Sequence, residues 1–434
     1  MQLSDELSLT GFVEYEYFAY THEEGVDRID SRNEIQFHSE WTFQPSSSVK
    51  GLAVPELRYD LSDETRNRVF LDEAYVDIYR ENADWRVGKQ IVSWGRADTL
   101  RPTDLWKIRD YTDFFDDEEE GIVGAQGRFF SANLTVSLLW VPYFQRHYFP
   151  LTSPGNRFFL LPSAVPSGYA IPGLSHPGAY RLTYRELRDA IPDDTIDSSE
   201  GAIKLEYSRG GWDLSLSFSR LHDRLPTYVD GINLPTGGAI VVAEEIDDQE
   251  GNTAVLGIRP HYERILVVGM DVSTTFRKVG FRGEAAYVIT SDRNASNSRI
   301  DDPYVKATVG LDYTISNFVG DQDLFVLLQY AVDVQLPHSD TKNVLQSDIR
   351  HYYEHAALTY FEWQISDYLR IGMRSFLNAI NRDYQIEPEI TWSPADSVTL
   401  RLGATMVGGR DTTDSFLSAF EKDDRAEASV RFSL

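Results

Sequence analysis

The sequence predicts an all-β fold, namely a transmembrane, antiparallel, up-and-down β-barrel of about 18 strands. Three observations lead to this prediction. Apolar and polar residues alternate with a period of two along almost the whole chain of 434 residues. The polar positions of the strands carry full charges, as a water-filled lumen requires. The connections alternate between short and long, which is typical of the periplasmic turns and extracellular loops of such barrels.

Composition agrees with this fold class and excludes several functions. Hydrophobic residues make up 42% and aromatic residues 13% of the chain, yet no apolar run reaches the length of a transmembrane helix. The absence of cysteine excludes disulfides, thiolate catalysis and cysteine-ligated zinc. The net charge of −27 would repel phosphate backbones, so nucleic acid is excluded as a partner.

Most acidic residues are clustered in predicted loops, namely Asp116–Glu120, Glu244–Glu250 and Asp411–Asp424. Such runs indicate either solvated loops or loops that bridge to lipopolysaccharide through divalent cations, and the sequence leaves both open. The start, MQLSDELSL, carries no signal peptide. We therefore expect a protein exported to the outer membrane of a Gram-negative bacterium, with its signal removed and with outer-membrane lipid and lipopolysaccharide around it.

Taken in order, the strands repeat one pattern. The first strand alternates Val13 and Tyr15 against Glu14 and Glu16, and the pattern recurs to the last strand, whose polar face carries Arg431. Long loops are predicted after strands five, seven, nine, thirteen and seventeen. The short turns are predicted within Gln44–Lys50, Arg80–Asp84, Phe130–Asn133, Ser208–Gly211, Phe276–Val279, Ser316–Asp323, Ile365–Tyr368 and Ser393–Ser397.

An antiparallel barrel that closes without a free edge, with both termini on the periplasmic side, needs an even number of strands. Thr253–Thr275 is interpreted as one long strand that rises above the membrane, where Pro260 is tolerated. This interpretation keeps the strand number even and places both termini on the periplasmic side. Residues 1–434 then form a single barrel domain.

The stretch from residue 88 to residue 121 interrupts the strand pattern after strand five. It combines mixed charge with Trp94, Trp106, Tyr111, Phe114 and Phe115, which would be poorly placed in water. We therefore predict that it folds into the lumen as a constriction, against the alternative of an outward surface loop, because pores select by diameter and by patches of charge. The predicted constriction residues are Arg96, Asp98, Arg101, Asp104, Lys107, Arg109, Asp110 and Asp113.

The barrel wall offers charged partners for this loop. Glutamates on the first strands face the predicted lumen, namely Glu14, Glu16, Glu34, Glu40 and Glu56. Arginines face it mainly on the last strands, namely Arg282, Arg370, Arg374, Arg401 and Arg431. Two interpretations stay open: opposed acidic and basic walls that create a transverse field, or pairing across neighbouring strands. The basic residues of the loop are expected to face the early glutamates, and its acidic residues the late arginines.

The predicted extracellular loop over residues 142–199 is rich in proline and aromatic residues, with WVPYFQRHYFPL and RFFLLPSAVPSGYAIPG as its most apolar parts. It is interpreted either as an apolar mouth or lid, or as a self-packed cap on the barrel.

One short motif resembles a catalytic metal site. His351, Glu354 and His355 form H-x-x-E-H, which needs a helix to bring both histidines to one face. Here the motif abuts a strand, in which the two histidines would lie about 13 Å apart. We therefore predict no metal site, no cofactor and no catalytic residues, and we expect that the protein is not an enzyme.

Three segments carry a family resemblance: GKQIVSWGRADTLRPTDL (88–105), FRGEAAY (281–287) and VGLDYT (309–314). They resemble a family of proteobacterial outer-membrane proteins of unassigned function, often encoded beside RND-superfamily, MmpL-like exporters. The resemblance implies an outer-membrane β-barrel that moves hydrophobic or lipid-like cargo with an inner-membrane pump. The strand count and loop position are also similar to substrate-specific porins and to the alginate-export channel. An alginate-export channel needs a basic bore, whereas this chain is acidic overall.

The sequence thus predicts an outer-membrane channel for small solutes or hydrophobic cargo, with a periplasmic or inner-membrane transport partner. Two alternatives stay open. One is a barrel that sheathes a partner such as a multihaem cytochrome, which would need a wide bore with the loop displaced. The other is a barrel enzyme acting on lipids, which would need a Ser, His and Asp cluster at one rim.

Overall fold

A closed, antiparallel barrel of 18 strands forms the protein in the computed structural model. The structure describes residues 6–21, 30–115, 118–148, 164–165, 180–186, 191–193, 195–228, 246–249, 253–258, 260–294, 300–336, 351, 353–380, 382–409, 417–420 and 424–434. The barrel strands are Leu7–Thr21 (β1), Ser31–Ser46 (β2), Val49–Asp60 (β3), Arg68–Arg80 (β4), Ala83–Gln90 (β5), Ile122–Ser131 (β6), Leu134–Val141 (β7), Glu200–Arg209 (β8), Trp212–His222 (β9), Arg264–Phe276 (β10), Val279–Ile289 (β11), Tyr304–Val319 (β12), Gln322–Gln335 (β13), Ala356–Ser366 (β14), Leu369–Asn378 (β15), Tyr384–Ala395 (β16), Val398–Gly408 (β17) and Asp424–Ser433 (β18).

Each strand pairs with its neighbours in chain order, and the barrel closes where β1 pairs with β18. In that seam Val13 lies opposite Phe432 and Glu14 lies opposite Arg431, so apolar and charged residues keep to opposite faces. Short 3₁₀ helices span Glu64–Arg66, Ile196–Ser198 and Leu417–Phe420. No helix in the described part of the chain is long and apolar enough to cross a membrane. The predicted all-β barrel of 18 strands is confirmed.

Burial follows the reverse of the pattern of a water-soluble protein. Large apolar side chains are exposed on the outside of the barrel, such as Trp41, Trp212 and Leu216, whereas charged side chains such as Glu34 and Arg58 are buried inside. Burying a charge and exposing apolar surface would both be unfavourable in water. The arrangement is that of a transmembrane barrel, in which lipid contacts the outer face and polar groups fill the lumen.

The connections differ strongly between the two ends of the barrel. All eight predicted short turns are present as two-residue connections at one end, called the short-turn end below. In one of them Gly210 and Gly211 adopt φ angles of +65° and +82°, which a two-residue hairpin of type I′ requires at both positions. The long connections all lie at the opposite end, the long-loop end, as the sequence predicts.

The interpretation of Thr253–Thr275 as one strand is wrong. Thr253–Ile258 pairs in parallel with Tyr180–Glu186 and antiparallel with Ile246–Gln249, so it belongs to a small sheet outside the barrel. Pro260–His261 pairs separately with Thr227–Tyr228. The barrel ladder begins only at Arg264, opposite His222. The parity of the barrel is unaffected, since only β10 enters it.

The predicted loop over residues 142–199 is described only in part. Residues 149–163 and 166–179 lie outside the described residues, and so does most of its apolar segment RFFLLPSAVPSGYAIPG. Its first residues pack against the barrel mouth, where Phe144 is buried against the rings of His222 and Tyr262. Parts of the acidic runs, residues 116–117, 244–245, 250, 411–416 and 421–423, also lie outside the described residues.

Candidate functional site: the loop inside the barrel

Residues 91–121 connect β5 to β6 and are called the lumenal loop below. The loop has its own internal structure. Ile108–Asp110 pairs with Glu118–Glu120, and Val92 forms a bridge with Trp106. The Asp104 carboxylate accepts hydrogen bonds from the Trp94 N–H at 3.2 Å and from Lys107 Nζ at 2.8 Å. These contacts fold the loop on itself before it meets the wall.

The apolar side chains of the loop pack inside the barrel. Trp94 and Trp106 are buried, and their rings meet edge to face with centroids 6.4 Å apart. They contact inward apolar residues of the surrounding strands in one hydrophobic cluster, formed with Ile122, Leu139, Val141, Leu221, Ile265, Val267, Ala286, Val288 and Tyr304. The inner faces of these strands are therefore apolar where the loop lies, and the outward alternative for the loop does not describe this structure.

Glu284 on β11 holds the loop tightly. Its carboxylate accepts hydrogen bonds from the backbone N–H groups of Arg96 at 3.0 Å, Ala97 at 3.1 Å and Thr103 at 2.6 Å. The Thr103 hydroxyl donates a fourth bond at 2.8 Å. Thr103 also lies close to Gly269 on β10, because a Cβ there would approach Thr103 Cγ2 to 2.5 Å. One glutamate and one glycine thus fix the position of the loop against two strands.

The tip of the loop reaches strands far from its origin. Arg96 lies 3.0 Å from Glu206 on β8 and 2.6 Å from Asp271 on β10, and Asp98 pairs with Arg282 on β11 at 2.7 Å. The Thr99 N–H donates to Gln329 on β13 at 3.0 Å. Since β13 is eight strands from β5 in a barrel of 18, the loop crosses most of the lumen.

The second half of the loop attaches to the wall near the barrel seam. Arg32 on β2 donates to the Asp113 carboxylate at 2.6 Å, and Arg425 on β18 donates to the same oxygen. Both guanidinium groups lie over the ring of Phe18, at 3.9 Å for Arg32 and 4.8 Å for Arg425. Burial works against ionisation of Asp113, but Arg425 and Arg32 outweigh it and hold the pKa of this carboxyl well below its usual value.

Asp110 makes an equivalent contact with the next two strands. Arg58 on β3 donates to its carboxylate at 3.0 Å and Arg68 on β4 at 2.7 Å. Burial again opposes ionisation, but Arg58, a hydrogen bond from the Thr112 N–H, and Arg68 together lower the pKa of Asp110. The expectation that acidic loop residues face late-strand arginines is therefore wrong for Asp104, which pairs with Arg101 and Lys107 inside the loop, and for Asp110. For Asp110 the reason is that the early strands carry arginines in phase with their glutamates.

The other predicted constriction residues lie within the loop or beneath the mouth. Arg101 lies 3.2 Å from Asp104, and Lys107 contacts both Asp104 and Glu119. Arg109 lies 3.2 Å from Glu119, and its N–H donates to His147 Nδ1 at 3.0 Å. The backbone of Tyr148 bonds Arg109 and Tyr111 as well, so the start of the 142–199 loop covers the lumenal loop. None of these basic residues pairs with the early glutamates that the sequence suggested, within the contacts of the described residues.

The predicted wall residues pair with their neighbours around the barrel. Arg431 donates to Glu14 at 2.7 Å and Arg401 to Glu16 at 2.9 Å, across the seam that joins β17, β18 and β1. Arg374 donates to Glu387 on β16 at 3.3 Å. Because closure puts the first and last strands side by side, the acidic and basic walls are adjacent and not opposed. The interpretation as a transverse field between opposed walls is wrong, and pairing across strands describes these contacts.

The remaining wall residues differ in their surroundings. Arg370 lies 3.8 Å from Glu362, and Arg282 donates to Asp312 at 2.7 Å in addition to Asp98. Glu34 is buried among arginines, 3.3 Å from Arg58 and 3.1 Å from Arg66. Glu40 is exposed and lies closer to the short-turn end.

Glu56 belongs to a group whose ligand atoms could surround a cation. His38, Glu56 and Asp72, from β2, β3 and β4, bring one ligand atom each to within 4.8 Å of one another. His38 Nδ1 lies 3.3 Å from Glu56, and Gln36 also donates to Glu56. These bonds satisfy the group within the protein wall, and its spacing alone does not argue for a metal.

The H-x-x-E-H motif does not assemble a metal site. His351 Nδ1 lies 2.8 Å from Asp333, whereas His355 Nδ1 lies 2.9 Å from the Tyr330 hydroxyl. Asp333 and Tyr330 are three residues apart on β13 and so point to opposite faces of the barrel wall. The motif lies in a turn before β14 and not in the strand itself.

Open space remains on one side of the lumenal loop. A cavity of about 470 Å³ lies between the loop and the inner faces of β11 to β16, with Phe114, Phe115, Phe376 and Arg374 among its lining residues. A second cavity of about 140 Å³ lies towards β17 and β18 and shares Phe115 and Arg374 with the first. The two cavities beside the loop thus lie along β11 to β18.

Sequence reasoning missed the wall residues that hold the loop, namely Arg32, Arg58, Arg68, Glu284, Gln329 and Arg425. The sequence did indicate that these residues face the lumen. Each occupies a lumen-facing position in the period-two alternation of its strand. Their pairing with the loop had no such signal, since it joins residues between 42 and 312 positions apart.

Comparison with known proteins identifies the family. No curated protein matches this chain. The chain is similar to OccK11 (OpdR) of Pseudomonas aeruginosa at 9% identity and a TM-score of 0.49, covering 99% of this chain and 96% of that one. It is similar to a mutant of the Rh. blastica porin at 13% identity and a TM-score of 0.42, covering 99% and 100%. A family model described as a protein of unknown function (DUF1302) matches residues 1–360. The chain therefore belongs to this family, in agreement with the resemblance of its short motifs.

Proposed function

We propose that the protein is an outer-membrane channel in which the lumenal loop narrows the path and leaves a passage along β14 to β18. The observation that carries the proposal is that the loop crosses the lumen and is fastened to both sides of it, while two adjacent cavities with shared lining residues remain beside it. A loop that merely covered the barrel would leave the bore wide, and one that filled it would leave no cavity. Selection in pores arises from such a combination of bore and charge.

The apolar outer face and the two kinds of connection support the location. In outer-membrane barrels the short turns face the periplasm and the long loops face outward. With that orientation a solute from outside would meet the larger cavity first and leave past the smaller one. A periplasmic or inner-membrane transport partner, as the family resemblance implies, would act at the short-turn end, where both chain ends of the barrel also lie.

The alternative of a sheath around a partner protein is less well supported. A partner within the lumen would have to displace the loop from Glu284, Arg32, Arg58, Arg68 and Arg425, all of which are buried or part-buried contacts. Separating buried charged pairs costs about 3–5 kcal/mol when one partner is left behind. The contacts therefore favour a loop that stays in place.

Recordings from purified protein in planar bilayers test the proposal. We expect discrete, voltage-independent current steps that are smaller than those of the same barrel without its loop. Current steps that appear only after a periplasmic extract is added would indicate a channel that depends on a partner and not a passive one. Membranes with verified insertion that show no current under either condition would contradict the proposal.

A further inference from the structure

Arg374 and Arg431, on the open side of the lumen, are more accessible than the acidic residues that pair with them, whereas Glu389 and Glu427 are more exposed than Arg401 and Arg425 beside them. The side chain of Arg374 is 62% exposed and that of Glu387 is 17% exposed. The values are 44% and 5% for Arg431 and Glu14. The carboxylates lie against the wall while the guanidinium groups project into the lumen. A passing solute therefore meets positive charge at Arg374 and Arg431, although the chain as a whole carries −27.

The larger cavity repeats this asymmetry. Arg101 is 32% exposed and its partner Asp104 is 1% exposed, and Lys306 is more exposed than Asp333. Three acidic residues also line the cavity: Glu387 is the less exposed partner of Arg374, whereas Asp98 and Glu119 are each about as exposed as the arginine beside them. Four basic residues line it as well, namely Arg101, Arg109, Lys306 and Arg374, so the accessible charge in the cavity is positive on balance.

The other half of the cavity is apolar and aromatic. Phe114 and Phe115 from the loop face Leu358 on β14 and Phe376 on β15, with Tyr111 at the edge. Phe114 and Phe115 are themselves held by stacking and edge contacts with Phe420. A volume of about 470 Å³ lies within the range of small-molecule sites, which combine an apolar lining with a few polar groups that fix orientation.

Arg374 lies where the two cavities meet. It lines both of them, and its contact with Glu387 is a single bond of 3.3 Å, which leaves guanidinium N–H groups directed to the lumen. Beyond it, Arg401 lines the smaller cavity, and Arg431 on the adjacent strand lies closer to the short-turn end. An anion released by Arg374 would meet Arg401, which has the more exposed Glu389 beside it, and then Arg431. Guanidinium groups bind oxyanions with paired N–H donors.

We propose that the larger cavity is a binding site for an amphipathic organic anion, with its apolar body against Phe114, Phe115 and Phe376 and its acidic group on Arg374. This inference rests on the proposed channel function, since it names the class of solute that the channel selects. A neutral molecule of the same shape would fill the aromatic half but leave the guanidinium without an anionic partner. A small inorganic anion would meet the arginines without the apolar contact.

Binding to the purified full-length protein in detergent tests the inference without requiring conduction. The probes are 2-naphthoate and its neutral analogue 2-naphthamide, compared by isothermal titration. We expect naphthoate to bind at least about tenfold more tightly, because a hydrogen bond between two charged groups is stronger than one to a neutral amide. Arg374→Gln should remove the difference between the probes, and Arg374→Lys should restore part of it.

Arg128 on β6 provides the matched control. Its side chain is also about half exposed and pairs with Asp84 at 3.0 Å, but it lines neither cavity. Arg128→Gln should leave the affinity for naphthoate within about twofold of the wild type. Equal affinity of the wild type for the two probes would overturn the inference, and so would loss of binding in Arg128→Gln to the same extent as in Arg374→Gln.

The outcomes separate this inference from the proposed function. Tight, Arg374-dependent binding of naphthoate by a protein that passes no current would support the site and contradict the channel. Current without any preference for naphthoate over naphthamide would support the channel and contradict the site.

Discussion

At the scale of single residues, Asp113 is the point at which the lumenal loop depends most on charge. It lies between Arg32 and Arg425, and both guanidinium groups are buried with it. Removing its charge would leave two buried cations facing a neutral group. Losing one partner of a buried ion pair costs about 3–5 kcal/mol. A cost of this size is expected to displace this part of the loop from the wall.

We therefore expect Asp113→Asn to release this half of the loop and to raise single-channel conductance and current noise. Planar-bilayer recordings provide the measurement. Asp396→Asn, the same change at an exposed residue in the turn between β16 and β17, is the control and should match the wild type. Identical conductance in all three proteins would show that the Asp113 contact does not position the loop.

The pKa shifts of Asp110 and Asp113 predict how this attachment responds to pH. Both are lowered from the usual value of 3.8. A lowered pKa contributes stability that is fully present above the usual value and is lost only as the pH falls through the lowered one. The difference in conductance between the wild type and Asp113→Asn should therefore stay constant from pH 7 to about pH 4.5 and should shrink only in stronger acid. A difference that disappears between pH 7 and pH 5 would contradict this assignment.

At the scale of elements, the loop tip depends on the four hydrogen bonds that Glu284 accepts. Glu284→Ala leaves three backbone N–H groups without their acceptor, at about 1 kcal/mol or more for each. We therefore expect faster proteolysis within residues 95–103 of the protein in detergent. Mass spectrometry of the fragments over time measures this rate. Glu40→Ala, at an exposed lumen glutamate without a described contact to the loop, should not change cleavage. Equal protection in both variants would exclude Glu284 as the clamp.

Sequence patterns predicted the elements better than their partners. The alternation of Val13 and Tyr15 with Glu14 and Glu16 fixes a face for every residue of β1, and two-residue turns fix the order of the strands. The burial of Trp94 and Trp106 also followed from their aromatic character. Which wall charge meets which loop charge did not follow, because closure of the barrel, and not local spacing, brings β18 beside β1.

The error at Thr253–Ile258 has a similar cause. Its alternation is that of a strand, and it is a strand, but its partners come from the 142–199 and 223–263 connections. Period two predicts the conformation of a segment and the direction of its side chains. It carries no information about which sheet the segment joins.

At the scale of the whole molecule, the apolar outer face predicts dependence on lipid. Leu216 points outward near the middle of β9 and is half exposed. In a membrane, Leu216→Arg should lower the free energy of unfolding by about 2–4 kcal/mol, measured by urea denaturation in lipid vesicles, whereas Leu216→Ala should cost clearly less. An arginine variant as stable as the wild type would mean that this face is in contact with water.

The barrel wall itself does not need the loop. Every strand pairs with its neighbours through backbone bonds, and none of the 18 strands of the barrel pairs with the loop segments Ile108–Asp110 or Glu118–Glu120. A variant in which residues 98–113 are replaced by a short Gly-Ser linker should therefore still fold and insert. Heat-dependent mobility in gel electrophoresis would verify insertion before any recording.

Single-channel conductance of this linker variant, measured beside the wild type in the same salt, tests the central claim most directly. If the lumenal loop narrows the path, removing residues 98–113 opens the lumen along β2 to β11, and conductance should rise several-fold. A variant that inserts normally and conducts like the wild type would contradict the claim that the loop forms the constriction.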